Sequence, residues 1–271
     1  MSEPLLRAEK ITKHFRGLTA VLDVSFDVTA GQIKAMIGPN GAGKTTIFNL
    51  LCGFSPLSQG AVHLAGENIT GFAPHQIAAR GMIRTFQNVR LFHHMTVAEN
   101  VAVGLHRRTR TGLLVGGLDL PQAHREEIEI AASSHAILKF VGLDAYAHRR
   151  AGHLPFGQQR LLELARAFAS SPRLLLLDEP AAGLNEQETV QLGELIRRMR
   201  DAGMTILLVE HDMRLVMDIA DEILVLNYGA KIAEGAPRAI QNDPAVITAY
   251  LGHARRDPAH APQANVLPSV A

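Results

Sequence analysis

A length of 271 residues allows one large domain or two small ones, and 47% hydrophobic with 20% charged residues excludes collagen-like and wholly disordered chains. The single cysteine, Cys52, rules out an internal disulfide and with it a disulfide scaffold. Lys and Arg number 27 against 26 Asp and Glu, so the net charge of +1 gives no general drive toward nucleic acid, and 5% aromatic content without Trp argues against base-stacking modules.

Met1-Ser2-Glu3-Pro4 has no basic n-region or apolar h-region, so no signal peptide is expected. No stretch reaches the roughly 20 apolar residues that span a bilayer, and a soluble cytoplasmic protein is expected. Ile33 to Ile37 reads as a strand entering a Gly-rich turn, and Thr46 to Leu51 can open a helix. Residues from roughly 90 to 170 look mostly helical, with a Gly-rich insert at Gly112 to Gly117. The adjoining basic run Arg107, Arg108 and Arg110 reads as a solvated loop rather than a specific anion site. Leu174 to Leu177 and Thr205 to Val209 are unalternating apolar runs that suit parallel strands covered on both faces. Between them, Gln187 to Arg200 carries Val190, Leu192, Leu195, Ile196 and Met199 near helical spacing, with Gly203 as terminator. Strand, helix, strand is a parallel α/β unit. Asp221 to Ala233 reads as a hairpin about Asn227-Tyr228-Gly229, and the proline-bearing tail from His253 to Ala271 reads as disordered. Cys52 reads as a small core residue.

Gly38-Pro39-Asn40-Gly41-Ala42-Gly43-Lys44-Thr45 fits the phosphate-loop pattern G-x-x-x-x-G-K-[ST] between a strand and a helix. Glycines let the backbone close around phosphate without a clashing Cβ, and successive N–H groups with the helix N-terminus point at the anion. Lys44 adds charge at the β- and γ-phosphates, and Thr45 offers a hydroxyl to Mg²⁺. The run Leu174 to Leu177 delivers Asp178 to a strand end, where it can hold Mg²⁺ through water. Glu179 then sits where it could polarise an attacking water. By themselves four leucines and two acids are equally a core strand entering a capped turn. Leu154-Pro155-Phe156-Gly157-Gln158-Gln159 precedes Leu161, Leu164, Ala165 and Phe168 at helical spacing, which puts Gly157 and Gln158 at a second helix N-terminus.

In this order the motifs resemble the nucleotide-binding subunit of an ATP-binding cassette (ABC) transporter. The chain is most similar to the ATPases of branched-chain amino acid uptake, over residues 5–252. The subfamily-like stretches are Arg84-Thr85-Phe86-Gln87-Asn88-Val89-Arg90-Leu91-Phe92, Asp178-Glu179-Pro180-Ala181-Ala182-Gly183-Leu184-Asn185, Val209-Glu210-His211-Asp212-Met213 and Tyr250-Leu251-Gly252. The resemblance implies a P-loop NTPase (RecA-like) α/β core with an antiparallel β subdomain and an inserted α-helical signature subdomain, roughly 90–170. It implies that Phe15 stacks on adenine, that Gly38 to Thr46 hold ATP, and that Thr45, Gln87 and Asp178 serve Mg²⁺. It makes Glu179 the general base and His211 the γ-phosphate switch, with Gln87 and Lys44 completing the catalytic set. Gly157 and Gln158 fall in the signature loop that completes the ATP site of an opposing cassette. Asn185 falls in the loop that crosses to that partner.

Further implied are two membrane permease subunits, an indirect periplasmic solute-binding protein and a peripheral place on the cytoplasmic face of the inner membrane. The sequence departs from the family's pattern at Pro155, where a serine is usual, and at Glu186, where the subfamily commonly has proline. Loss of the serine hydroxyl predicts a weaker trans contact to γ-phosphate, by about 1–2 kcal/mol. A lipopolysaccharide-export ATPase, a soluble non-transport ABC ATPase and a non-hydrolysing regulatory module are the alternatives.

Overall fold

A computed structural model describes residues 3–105 and 121–254, and for 121–125 and 251–254 the backbone alone. The chain opens with strands β1 (Leu6–Phe15), β2 (Leu18–Val28) and β3 (Ile33–Ile37), then helix α1 (Lys44–Leu51), β4 (Gln59–Leu64), β5 (Glu67–Asn68), α2 (Pro74–Ala79) and β6 (Met82–Arg84). Helices α3 (Val97–Leu105), α4 (Pro121–Val141) and α5 (Phe156–Ala169) follow, with single 3-10 turns at Asp144–Tyr146 and Ala151–His153. The chain then runs through β7 (Leu174–Asp178), α6 (Glu186–Asp201), β8 (Thr205–Val209), α7 (Met213–Ile219), β9 (Glu222–Asn227) and β10 (Ala230–Gly235). It ends in α8 (Pro237–Gln241) and α9 (Pro244–Ala254).

Two sheets result. The antiparallel one has the order β2-β1-β4-β5, and the six-stranded one β10-β9-β3-β8-β7-β6. In the second, β3, β6, β7, β8 and β9 run parallel, and β10 returns antiparallel beside β9. Every residue of β3, β7 and β8 is buried, which is why these runs lack alternation. The pleat still sorts them by face. Leu175, Leu177, Ile206 and Leu208 pack with Val97, Leu162, Ala165 and Ile196 of the helices. Leu174, Leu176, Leu207 and Val209 pack instead with Phe48 of α1 and Val24 and Phe26 of β2.

The parallel register sets the site. β3, β6, β7 and β8 all end at one edge, with Asp178 paired to Val209. That edge therefore carries the loop after Ile37, the segment after Arg84, the Asp178-Glu179 pair and the Glu210-His211 pair, as expected for a site at the carboxyl ends of parallel strands.

Two expectations, for Val190 and for the start of the tail, need adjustment. Val190 does not belong to the buried face of α6: it is 56% exposed, while Leu192, Leu195, Ile196 and Met199 are buried. Pro155 is the N-cap of α5 and offers that helix no side-chain cap. Helix α9 continues through His253 and Ala254. The rest of the expected tail, 255–271, and the stretch with Arg107, Arg108, Arg110 and Gly112 to Gly117 lie outside the described residues.

Candidate functional site

The loop Gly38 to Gly43 leaves β3 and feeds α1, whose N-cap is Gly43 at φ 101. Gly38 holds φ 153, and a Cβ there would lie 2.2 Å from the Leu226 carbonyl oxygen, so the loop closes only with glycine. Lys44 is buried and folds back on its own loop, its Nζ donating to Gly38 O at 2.6 Å and Pro39 O at 3.1 Å. Burial pushes its pKa down, and the nearby Glu179 charge opposes that shift. The ammonium thus waits beside the loop amides, satisfied by weak backbone acceptors that a phosphate can replace.

A cleft of ≈ 490 Å³ opens over this loop, lined by Phe15, Leu18, Thr19 and Ala20 from the β1–β2 turn, by Asn40 to Thr46, by Glu179 and by Tyr228. Phe15 is 48% exposed, with Lys13 Nζ 4.9 Å from its ring centroid. Tyr228 sits in the β9–β10 turn at φ 47. Gly229 next to it pins that turn, donating to Ala42 O at 3.1 Å and accepting from Leu22 N at 2.8 Å. The sequence placed Tyr228 in a hairpin turn and gave it no place in the cleft.

At the edge of this cleft, Gln87 Nε2 donates to Glu179 Oε2 at 2.8 Å. Glu179 adopts φ 47, a left-handed conformation rare for a side-chain-bearing residue, and its N–H is tied to Val209 O at 2.9 Å. His211 Nδ1 lies 3.9 Å from Glu179 Oε2 and 3.7 Å from Glu210 Oε2, with the imidazole mostly exposed. Glu210 is fully buried and shapes both loops by accepting from Ala181 N at 2.8 Å and His211 N at 2.9 Å. Gln87, Glu179 and His211 therefore share one cluster, and Glu179 alone of them lines the Lys44 cleft.

Asp178 ends β7 with its side chain buried against Arg84, whose Nη2 donates to Asp178 Oδ2 at 2.6 Å. Arg84 Nη1 also donates to Asn49 Oδ1 at 2.7 Å, and the rings of Phe48, Phe54 and Phe86 surround the guanidinium at 5.4–6.0 Å. Arg84 was not among the residues expected at the site from sequence. The available signal was a charge directly following apolar strand residues Met82 and Ile83, where burial demands a partner. Thr45 is exposed in the first turn of α1.

The donors fit Mg²⁺ by type: a hydroxyl (Thr45), a carboxylate (Asp178) and an amide oxygen (Gln87) are hard oxygen ligands. Among the described residues no group of three His, Cys, Asp or Glu could hold a metal by itself. A cation here would share its ligands with phosphate oxygens, which is the usual habit of Mg²⁺.

Gly157 and Gln158 open α5 and do not line the cleft over Lys44. Gly157 is buried against Glu188, whose Oε1 would be 2.4 Å from a Cβ at that position. Gln158 Oε1 is buried without a partner. Asn185 caps α6, accepting from Glu188 N at 2.9 Å while Glu188 Oε2 accepts from Asn185 N at 3.0 Å. Cys52 is buried and its thiol is pushed up to about 11, chiefly by burial, so it stays protonated and inert.

A family model described as ABC transporter matches residues 21–182, and one described as branched-chain amino acid ATP-binding cassette transporter matches residues 230–256. Across 255 residues the chain is 49% identical to the high-affinity branched-chain amino acid transport ATP-binding protein BraF of Pseudomonas aeruginosa. The match covers 94% of this chain and 100% of that protein. It is 47% identical over the same shares to the corresponding LivG protein of Escherichia coli. Among solved structures, the ADP conformation of an ATP-binding cassette of an ABC transporter aligns with a TM-score of 0.79 at 31% identity, covering 93% of this chain and 100% of that one. A nucleotide-free cassette aligns at 0.78 and 30% identity, covering 92% and 99%.

Proposed function

Because the chain belongs to the ATP-binding cassette transporter family of ATPases, we propose that it is the ATP-hydrolysing subunit of an importer for branched-chain amino acids. The observation that carries the hydrolytic reading is the Gln87–Glu179 hydrogen bond of 2.8 Å, set beside the phosphate loop and its folded-back Lys44. The loop amides and Lys44 bind the triphosphate, and Phe15 packs on the adenine. Glu179 accepts a proton from the attacking water, which Gln87 helps align, and His211 contacts the γ-phosphate. Thr45, Asp178 and Gln87 would hold Mg²⁺, which supplies charge neutralisation at the phosphates when bound.

Gly157 and Gln158 stand apart from their own chain's cleft, which supports a head-to-tail pair in which each signature loop completes the partner's site. With Pro155 as cap, that contact is left to backbone amides and the helix end. The partner is a second cassette, identical or homologous. Two permease subunits and, indirectly, a periplasmic binding protein complete the machine at the cytoplasmic face of the inner membrane. Among the described residues no helix is long and apolar enough to cross a membrane. The full-length match to branched-chain amino acid transport ATP-binding proteins favours that solute over lipopolysaccharide export.

The test is the assembled complex in proteoliposomes. The intact chain should drive ATP-dependent uptake of labelled leucine, isoleucine or valine, and a Glu179→Gln complex should bind ATP without uptake. ATP turnover with no accumulation of any of the three would overturn the solute assignment. Absence of Mg²⁺-dependent ATP binding would overturn the whole reading.

A further inference from the structure

We propose that Arg160 is a positioning residue that fixes the Gln87 main chain to helix α5 and so holds Gln87 in reach of Glu179. The inference rests on the hydrolytic roles proposed for Gln87 and Glu179 and goes beyond them by naming what holds the pair in place.

Arg160 and Glu163 face inward from the second turn of α5, with side chains only 1% and 3% exposed. Arg160 Nη2 donates to Gln87 O at 2.8 Å, and Nη1 donates to Phe86 O at 3.1 Å and to Glu163 Oε2 at 2.9 Å. Glu163 Oε1 in turn accepts from Arg90 N at 3.1 Å, and Arg166 Nη2 donates to Arg90 O. One helix therefore grips the segment Phe86 to Arg90 at four main-chain atoms. A planar guanidinium spans two successive carbonyls in a way an ammonium cannot. A fully buried ion pair is weak evidence for stability on its own, and the Arg160 Nε is buried without a partner. Packing alone gives this pair little reason to be ionic.

Glu179, by contrast, is held to the sheet through its N–H on Val209 O at 2.9 Å. The Gln87 side chain is the bridge between these two bodies, reaching from the helix-held segment to the sheet-held carboxylate at 2.8 Å. The first turn of α5, Phe156 to Gln158, lies on the same helix as Arg160.

The experiment uses the full chain, in its complex where turnover requires it, with Arg160→Lys and the double variant Arg160→Met/Glu163→Gln. The double variant removes both buried charges while the amide oxygen introduced in place of the Glu163 carboxylate can still accept from Arg90 N, which keeps folding from deciding the result. Steady-state ATP hydrolysis and fluorescent-nucleotide binding are read with thermal melts. The expected result is a kcat lower by about tenfold to a hundredfold in the double variant, a smaller fall in Arg160→Lys, and KM and nucleotide affinity within about twofold of the unsubstituted chain. Retained kcat in both variants overturns the inference. So does a fall of kcat, affinity and melting temperature together, which marks a purely structural pair. A parent chain that neither binds nor hydrolyses ATP would instead overturn the proposed function.

Discussion

Replacing Arg84 by methionine tests whether Asp178 depends on that partner. The substitution keeps an unbranched apolar stem among Phe48, Phe54 and Phe86 and removes the guanidinium from Asp178 Oδ2, 2.6 Å away, and from Asn49 Oδ1, 2.7 Å away. The side chains of Arg84 and Asp178 are 7% and 8% exposed, so solvent cannot take over the lost charge. Breaking a buried pair from one side costs about 3–5 kcal/mol, because the remaining ion stays buried and uncompensated. At about 2–4 °C per kcal/mol for domains of this size, the nucleotide-free chain should melt about 6–20 °C lower. Differential scanning calorimetry of Arg84→Met, Asp178→Asn and the double variant measures this as a cycle. Once Arg84 is gone, Asp178→Asn should raise the melting point, since it neutralises the stranded carboxylate. If the two single effects simply add, or if Arg84→Met melts within about 2 °C of the unsubstituted chain, the argument for a mutually dependent pair fails.

Lys44→Ala removes the ammonium beside the loop amides and should abolish nucleotide binding; an unchanged titration with fluorescent ATP contradicts the assigned role. Glu179→Gln should keep ATP binding and accumulate an ATP-dependent pair of cassettes, so light scattering that shows no change in mass on adding Mg²⁺-ATP counts against the head-to-tail arrangement. Pro155→Ser should raise turnover in the assembled complex, and equal or lower turnover removes the reading of that departure. It also gives α5 a side-chain cap, worth about 0.5–2 kcal/mol. For Glu234, burial pushes the pKa up, but hydrogen bonds and charge from Lys231 and Lys34 outweigh it and hold the carboxyl below its ordinary value. A carboxyl depressed in the folded state stabilises above its unfolded pKa, and that stabilisation is lost as pH falls toward the folded value. Glu234→Gln should therefore melt lower than the unsubstituted chain at neutral pH, with the gap closing below the ordinary carboxylate range; a gap independent of pH refutes the linkage.

What could be read from sequence follows from how local each signal is. Ile33 to Ile37, Leu174 to Leu177 and Thr205 to Val209 were legible because burial on both faces leaves an unbroken apolar run. The phosphate-loop pattern was legible because it is one contiguous stretch from Gly38 to Thr45. Asp178, Glu179 and His211 were legible because each directly follows or closely trails such a run. The antiparallel sheet was expected through the family resemblance and could not be traced strand by strand. Lys10 and Asp23 adopt positive φ, and the β1–β2 register shifts repeatedly, so the two-residue alternation that marks a half-buried strand is broken. Contacts between distant residues were illegible for a different reason. Arg84 meets Asp178 across 94 positions and Arg160 meets Gln87 across 73, and neither spacing belongs to a local motif.

The same distinction explains where the backbone is strained. Seven non-glycine residues hold positive φ among those described, and two of them, Glu179 and Tyr228, line the cleft over the phosphate loop. Such a conformation costs on the order of 1–3 kcal/mol and persists only where the surroundings enforce it. For Tyr228 the enforcing bonds are those of its neighbour Gly229 to Ala42 and Leu22. For Glu179 they are its N–H donating to Val209 O and its carbonyl accepting from Ala182 N. Both residues are thus held by the sheet and the loop that build the cleft. The Gln87 main chain is held from the helices instead, through Arg160. The 2.8 Å contact between Gln87 Nε2 and Glu179 Oε2 therefore joins two separately anchored parts of the chain, one fixed to the sheet and the phosphate loop and the other to α5.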